Sequence, residues 1–433
     1  MKRKVFMKTA GGGGFPRLAR VMTCLMLMLT GLGTGAWAQS TTHVVNQDNV
    51  NTIFSGNGYT LGDAVAAGDV LDFQGTIDLG EASHSLVINK QVNIISSTKD
   101  AVVKLHTVAG SLIGADPGNC FVINKAGSGT TVQDIRIENT ETWIFNTSNV
   151  TFTGVTMWVE EARVGSGVGH VALRYSDNVT FDGCTVYTKN NGGSSCCVLT
   201  GSHDCTFKDT HFENAGSAGN VLYIANPYNT GDMPTGYTMN NDNISVLNCT
   251  FTAESSGGLS NVQIMGGLRH RIENCTVNFT TSISCAATAS EDGHVIRNNT
   301  FTKNLTVPNY STAEGNTVTG NVTVQKGSTV TGNTISGNVS INQNRDDYIG
   351  STITGNSILG KVTFNSYSKN NTFTGNTVIS SEAYAVVMAS TADANNTVTD
   401  NILLAASNAG DAANIEGTGA WAADVLYATA PPV

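Results

Sequence analysis

From about residue 130 the chain alternates apolar and polar residues in short runs, and a Gly or Asn breaks each run before a second one begins. The phrase Phe181-Asp182-Gly183-Cys184-Thr185-Val186 returns as Val246-Leu247-Asn248-Cys249-Thr250-Phe251 and as Ile272-Glu273-Asn274-Cys275-Thr276-Val277. Later copies read Val330-Thr331-Gly332-Asn333-Thr334-Ile335 and Phe373-Thr374-Gly375-Asn376-Thr377-Val378. Alignment of the copies puts Val155, Cys184, Thr210, Cys249, Cys275, Asn299, Asn316, Asn333, Asn356, Asn376 and Asn401 in one column, at intervals of 17 to 39 residues. Alternation with a period of two denotes strands, and a fixed phrase at a spacing near 25 residues denotes one structural unit per copy. No helical periodicity separates the copies, so the strands do not return through crossover helices.

The fold this predicts is all-β: a single-stranded, right-handed parallel β-helix, with three short strands per coil and the Asn/Cys/Thr column at one turn. Successive coils would lie about 4.8 Å apart, so ten intervals span roughly 50 Å. An inward amide cannot be left bare, because an unsatisfied buried polar group costs about 1–3 kcal/mol. Stacked coil on coil, each Asn can bond to the next. Cys and Thr are small enough for the same slot, so Cys249 and Cys275 read as stacked core thiols, while Cys196 and Cys197 should point to opposite faces.

Residues 39–130 carry the alternation without the column phrase and read as an N-terminal cap and first coils. Residues 131–405 are the repeats, and 406–433 a C-terminal cap or loose tail. Residues 1–38 differ. Lys2, Arg3, Lys4, Lys8, Arg17 and Arg20 precede an apolar stretch from Val21 to about Leu32, then Ala36-Trp37-Ala38. This reads as a Sec-type signal peptide with an A-x-A cleavage site, its apolar part being short for a membrane span. The product is expected outside the cell, secreted or on the surface, or in a periplasm, as a monomer and with no transmembrane segment after cleavage.

Composition narrows the partners. The chain holds 55 Thr, 45 Asn and 47 Gly, and only 13% of its residues are charged. Helix-forming runs are missing, which excludes bundles and coiled coils. Without the six leader cations, 17 Lys and Arg face 33 Asp and Glu, a net charge near −16. Such a surface repels nucleic acid.

The stretch Val87-Ile88-Asn89-Lys90 through Val92-Asn93-Ile94-Ile95-Ser96-Ser97-Thr98 resembles adhesin-like proteins of methanogenic archaea and gut microbes, within the pectate-lyase-like right-handed β-helix superfamily. So do Gly118–Ile123, Arg163–Gly169 and Asn190–Ser195, and the resemblance runs from about residue 43 to 405. It implies a surface or secreted β-helix with an adhesive role.

That scaffold also hosts polysaccharide lyases and glycoside hydrolases, which need carboxylates converging with an acid or base. The Asn-Thr-Asp and Gly-His-Gly signatures of polygalacturonases are absent, and Asp346-Asp347 is the one acidic doublet of similar kind. The densest charged group is Glu160, Glu161, Arg163, His170, Arg174 and, about one coil later, Asp204. These are the candidates for catalysis, set against a solvated charged face. No acidic cluster has calcium-ligand spacing, so neither metal nor cofactor is expected. Thr-x-Thr pairs at Thr329/Thr331, Thr352/Thr354, Thr372/Thr374 and Thr397/Thr399 would form two outward rows, the kind of array that ice-binding solenoids display; more often such rows are simply the β-propensity choice of a solvated strand. The leading expectation is a non-catalytic β-helix whose side surface binds glycans or other cell-surface macromolecules, with Trp158, Tyr175, Tyr187 or Tyr223 as stacking platforms.

Overall fold

The computed structural model describes residues 40–429 except 81–83, 106–119, 161–168, 190–194, 217–219, 226–232, 236, 238–239, 254–261, 265, 279–280, 284–286, 343–348, 389–394, 406–412 and 415–425. The chain divides into Met1–Ser40 and Thr41–Val433. The predicted signal peptide, Glu161, Arg163 and Asp346-Asp347 lie outside the described residues. Among the described residues no helix is long and apolar enough to cross a membrane.

Thr41–Val433 winds as a right-handed parallel β-helix. Among the described residues the strands fall into three parallel sheets of 15, 15 and 14 strands, visited in turn by each coil after the first. In one coil the first sheet receives Thr131–Gln133, the second Arg136–Glu138 and the third Thr142–Phe145. The next coil repeats this with Thr151–Thr153, Thr156–Val159 and Gly169–Arg174, in register with its predecessor. Coiling starts earlier than the column phrase, since Thr42–Val45 already pairs with Val70–Phe73.

The bend between first and second sheets explains the repeated phrase. The residue before the column has a left-handed backbone in Asp134, Gly154, Gly183, Asp209, Asn248, Asn274, Asn298, Gly315, Gly332, Gly355, Gly375 and Asp400, with φ from 50° to 65°. Gly, Asn and Asp tolerate that region and β-branched residues do not. The following side chain turns inward and is buried in each coil from Ile135 and Val155 to Asn401.

Stacking of the Asn column proceeds as anticipated. The Asn316 Oδ1 accepts the backbone N–H of Asn299 at 2.9 Å and its side-chain N–H at 3.0 Å. Asn333, Asn356, Asn376 and Asn401 repeat this toward their predecessors at 2.8–3.0 Å. Each Asn also donates to a backbone carbonyl of the preceding coil, as Asn316 Nδ2 does to Ile296 at 2.9 Å. Cys184, Cys249 and Cys275 occupy the same column as free, buried thiols. Burial raises the Cys184 pKa to about 11. Cys196 and Cys197 are both fully buried despite their alternation. Their consecutive N–H groups both donate to the next coil, to Asn220 O at 2.9 Å and Val221 O at 3.2 Å, an irregularity that regular strand geometry would not predict.

The rest of the interior is apolar and stacks like on like. Phe152, Phe181 and Phe207 form a pile with centroids 4.7 and 5.0 Å apart. Outside, the Thr-x-Thr pairs do align in register: Thr329 opposite Thr352, Thr372 and then Thr397, with Thr331, Thr354, Thr374 and Thr399 beside them.

Candidate functional site

Parallel in-register coils turn a strand position into a row, so the chemistry of a face can be read rung by rung. The outer face of the second sheet carries Thr76, Val102, Arg136, Thr156, Thr185, His211 and Thr250 in one row. The neighbouring row is Asp78, Lys104, Glu138, Trp158, Tyr187, Glu213 and Thr252. In later coils the same sheet shows Thr276, Thr300, Thr317, Thr334, Ser357 and Thr377. Charged and aromatic chemistry on this face is therefore confined to the early coils.

Within that band the groups hold one another in place. Lys104 Nζ lies 3.3 Å from Glu138, which also accepts a hydrogen bond from Arg136 Nε. Burial works to raise the Glu138 pKa, but Arg136 and Lys104 outweigh it and hold the carboxyl below its ordinary value. The Arg136 guanidinium lies 4.8 Å over the Trp158 ring, a cation–π contact. Trp158 stacks on Tyr187 with centroids 3.7 Å apart and an interplanar angle of 10°. Trp158 Nε1 donates to Glu160 at 3.0 Å, and Lys189 stands 3.5 Å from the same carboxylate. One rung on, His211 and Glu213 meet at 3.3 Å.

This packing corrects the stacking expectation. Trp158 has Arg136 over its ring and Tyr187 stacked against it, and Tyr187 is 8% exposed, so the pair presents ring edges. Tyr175 is fully buried, edge-on to Phe145 and Tyr237, and offers no platform.

The candidate catalytic residues do not share one place. Glu160 follows the second sheet. His170 and Arg174 sit four residues apart on one strand of the third sheet, about 13 Å along it. His170 is buried and the Arg174 guanidinium lies 4.6 Å over Trp143. Asp204 is at the opposite corner, leading from third sheet to first, where Asn243 Nδ2 donates to it at 2.9 Å.

Two groupings were not read from the sequence. On the third sheet, Trp143 is 1% exposed and its Nε1 donates to the buried Glu141 at 2.9 Å. At the corner into the first sheet, Asp177, His203 and Asp242 bridge on successive rungs, and Tyr237 donates its hydroxyl to Asp177 at 3.0 Å. Burial, then the Asp177 charge, pushes the Tyr237 pKa up to about 12. Row registration is the signal that would have exposed both, and it requires knowing how much chain each unequal loop absorbs. Among the described residues no cluster of His, Cys, Asp and Glu is arranged to hold a metal ion.

No known protein family matches the chain, and no curated protein matches it. Solved structures do. The chain is similar to an alginate lyase from Paenibacillus sp., at 14% identity over 73% of this chain and 95% of that one, TM-score 0.35. It is similar to the catalytic domain of a GH87 α-1,3-glucanase, at 12% identity over 90% and 70%, TM-score 0.44. It is also similar to PfbA, a surface protein and adhesin of Streptococcus pneumoniae, at 13% identity over 88% and 95%, TM-score 0.38. At these identities and TM-scores the likeness carries no argument about activity, since one fold hosts many functions.

Proposed function

We propose that the chain is an exported, adhesin-like, non-catalytic β-helix that binds glycans along the outer face of its second sheet. The observation that carries this reading is the in-register band of Lys104, Glu138, Arg136, Trp158, Tyr187, His211 and Glu213. Carboxylates and cations already held in place can bond sugar hydroxyls with little loss of side-chain freedom, and the aromatic edges supply apolar contact between them. The adhesin-like resemblance over residues 43–405 and the basic leader support export and a surface role. Binding of the purified chain to a glycan array tests it. Trp158→Ala is expected to weaken the strongest glycan signal at least tenfold with the β-sheet circular dichroism kept, as loss of an interface anchor does. Retention of full binding by that variant would place the site elsewhere.

A hydrolase or lyase reading is favoured by a different observation, the Asp177, His203 and Asp242 rungs at the corner into the first sheet. Two rungs separate the backbones of the two Asp residues by about 9.6 Å, just past the roughly 9.5 Å limit for the carboxyl groups of inverting glycosidases. Incubation with a panel of neutral and uronic-acid polysaccharides decides between them: new reducing or unsaturated ends support catalysis, and binding without turnover supports the adhesin. The in-register Thr rows carry the ice-binding reading, which a thermal-hysteresis measurement at high protein concentration tests directly.

A further inference from the structure

Beside the band, at the bend between first and second sheets, lies a notch of about 300 Å³ lined by Lys99, Asp100, Asp134, Arg136, Gly154 and Thr156, with backbone between them. It arises because neighbouring coils turn differently. Most coils pass the bend on a single left-handed residue, whereas the chain at 96–100 makes a longer loop that stands out as a wall. That wall is fixed. Ser97 donates its N–H and hydroxyl to Asp72 at 2.8 and 2.7 Å. Asp100 accepts the Gly75 N–H at 3.2 Å and the Thr98 hydroxyl. The other side of the notch is kept open by Gly154 (φ 61°), where an added Cβ would sit 2.7 Å from Asp134 Oδ1.

The lining balances two carboxylates against two cations. Lys99 Nζ lies 3.5 Å from Asp134, and Arg136 spans from Glu138 to the face of Trp158, joining the notch to the band. A carboxylated sugar would bring a third anion to Asp100 and Asp134, and an amino sugar a third cation to Lys99 and Arg136. A neutral sugar brings hydroxyls that both donate and accept, which is what mixed acceptors and donors around one small volume match. The volume is at the low end for ligand pockets and holds one ring rather than a chain. We infer that the notch is a subsite for a single neutral hexopyranose, the end or a branch of the glycan lying on the second sheet. This rests on the glycan-binding reading.

Saturation-transfer NMR on the intact protein tests it, with the methyl glycosides of glucose, galactose and mannose as probes and glucuronate and glucosamine beside them. The variant is Gly154→Asn, because Asn occupies the equivalent bend as Asn248, Asn274 and Asn298 with φ of 54–56°. At least one neutral glycoside is expected to show transfer that exceeds both charged sugars and falls at least tenfold in Gly154→Asn, with an unchanged melting curve. Asp134→Asn keeps the shape of the bend and removes one charge, and it should lower the same signal. Absence of transfer from every neutral glycoside, transfer undiminished in Gly154→Asn, or preference for a charged sugar overturns the subsite. If polysaccharide retention persists through any of these results, only the notch is lost; if the wild-type chain retains no polysaccharide, the glycan-binding reading fails with it.

Discussion

A buried amide is stable only when donor and acceptor are both used, and Asn356 uses both. Its Oδ1 accepts two N–H groups of Asn333, and its Nδ2 faces the carbonyl oxygens of Val330, Thr354 and Asn376 at 2.9–3.1 Å. Asn356→Ala strands the backbone N–H of Asn333, whose Nδ2 still reaches Ala313 O and Thr331 O, and is expected to cost about 2 kcal/mol in urea unfolding. Asn356→Asp keeps the acceptor but turns an anion toward three oxygens, so at neutral pH it should cost more than Ala despite being nearly isosteric. Equal stability of the two variants would contradict this account of the ladder. Histidine enters a second interior ladder with a different consequence. His270 Nδ1 accepts the Ile244 N–H at 3.2 Å, and Nε2 is 2.9 Å from Gly266 O, a carbonyl that can only accept. The ring is therefore held neutral, with its proton on Nε2. The ring of His294 is stacked on it at 4.6 Å, and Arg269 stands next to it in the chain. Burial, aided by the Arg269 charge, pushes the His270 pKa down to about 4 from 6.5. Between those values the unfolded chain holds a proton that the folded chain does not. The stabilising contribution is thus complete above pH 6.5 and is lost as pH falls toward 4, by about 3 kcal/mol. His270→Asn supplies the same acceptor without titrating, as Asn371 does further along, and should flatten the unfolding free energy between pH 6.5 and 4.

At the scale of the coil, each turn contacts only its neighbours, so a whole coil is a removable unit while part of one is not. Asn316 and Asn333 are 17 residues apart and are followed by Thr317 and Thr334 in paired positions. Deletion of 317–333 should leave a folded β-helix one coil shorter, with the same circular dichroism per residue and a single melting transition. Deletion of 317–324 alone breaks the register of all three sheets and should yield aggregated protein. If both deletions behave alike, the coil is not the unit of stability. The same modularity governs what could be read from residues alone. The first column was legible because a left-handed bend favours Gly, Asn or Asp and the inward position after it is filled in most coils by Cys, Thr or Asn, so the phrase repeats. The second ladder was not, because His270, His294, Ser351, Asn371 and Asn396 accept backbone N–H groups through three chemistries, so no single residue type recurs there even though Gly or Asn precedes four of the five. The band on the second sheet was half legible. Trp158 and Glu160 stood out as a charged cluster, whereas Arg136, Glu138 and Lys104 join them only through register. Alignment from Val155 missed Ile135, the same column position filled by an apolar side chain.

For the whole molecule, charge separates the modes of recognition. The chain carries −10, and near −16 without the basic leader proposed here as a signal peptide. A polyanion approaching it meets net repulsion and could bind only through local cations such as Lys99, Lys104 and Arg136. Three of their carboxylate neighbours, Asp134, Glu138 and Asp100, lie in the same region. Local attraction of that kind would weaken steeply with salt, because the Debye length shrinks from about 14 Å near 50 mM to about 4 Å near 500 mM. A neutral glycan held by short hydrogen bonds and ring edges has little long-range Coulomb energy to lose. Its affinity is therefore expected to change less than about twofold between those salt concentrations when measured by calorimetry, while heparin and nucleic acid should not be retained at the higher one. A steep fall of glycan affinity with salt would mean that the cations of the band act as an anion site. The carboxylates would then serve to position them, and the selectivity argued for the notch would reverse toward acidic sugars.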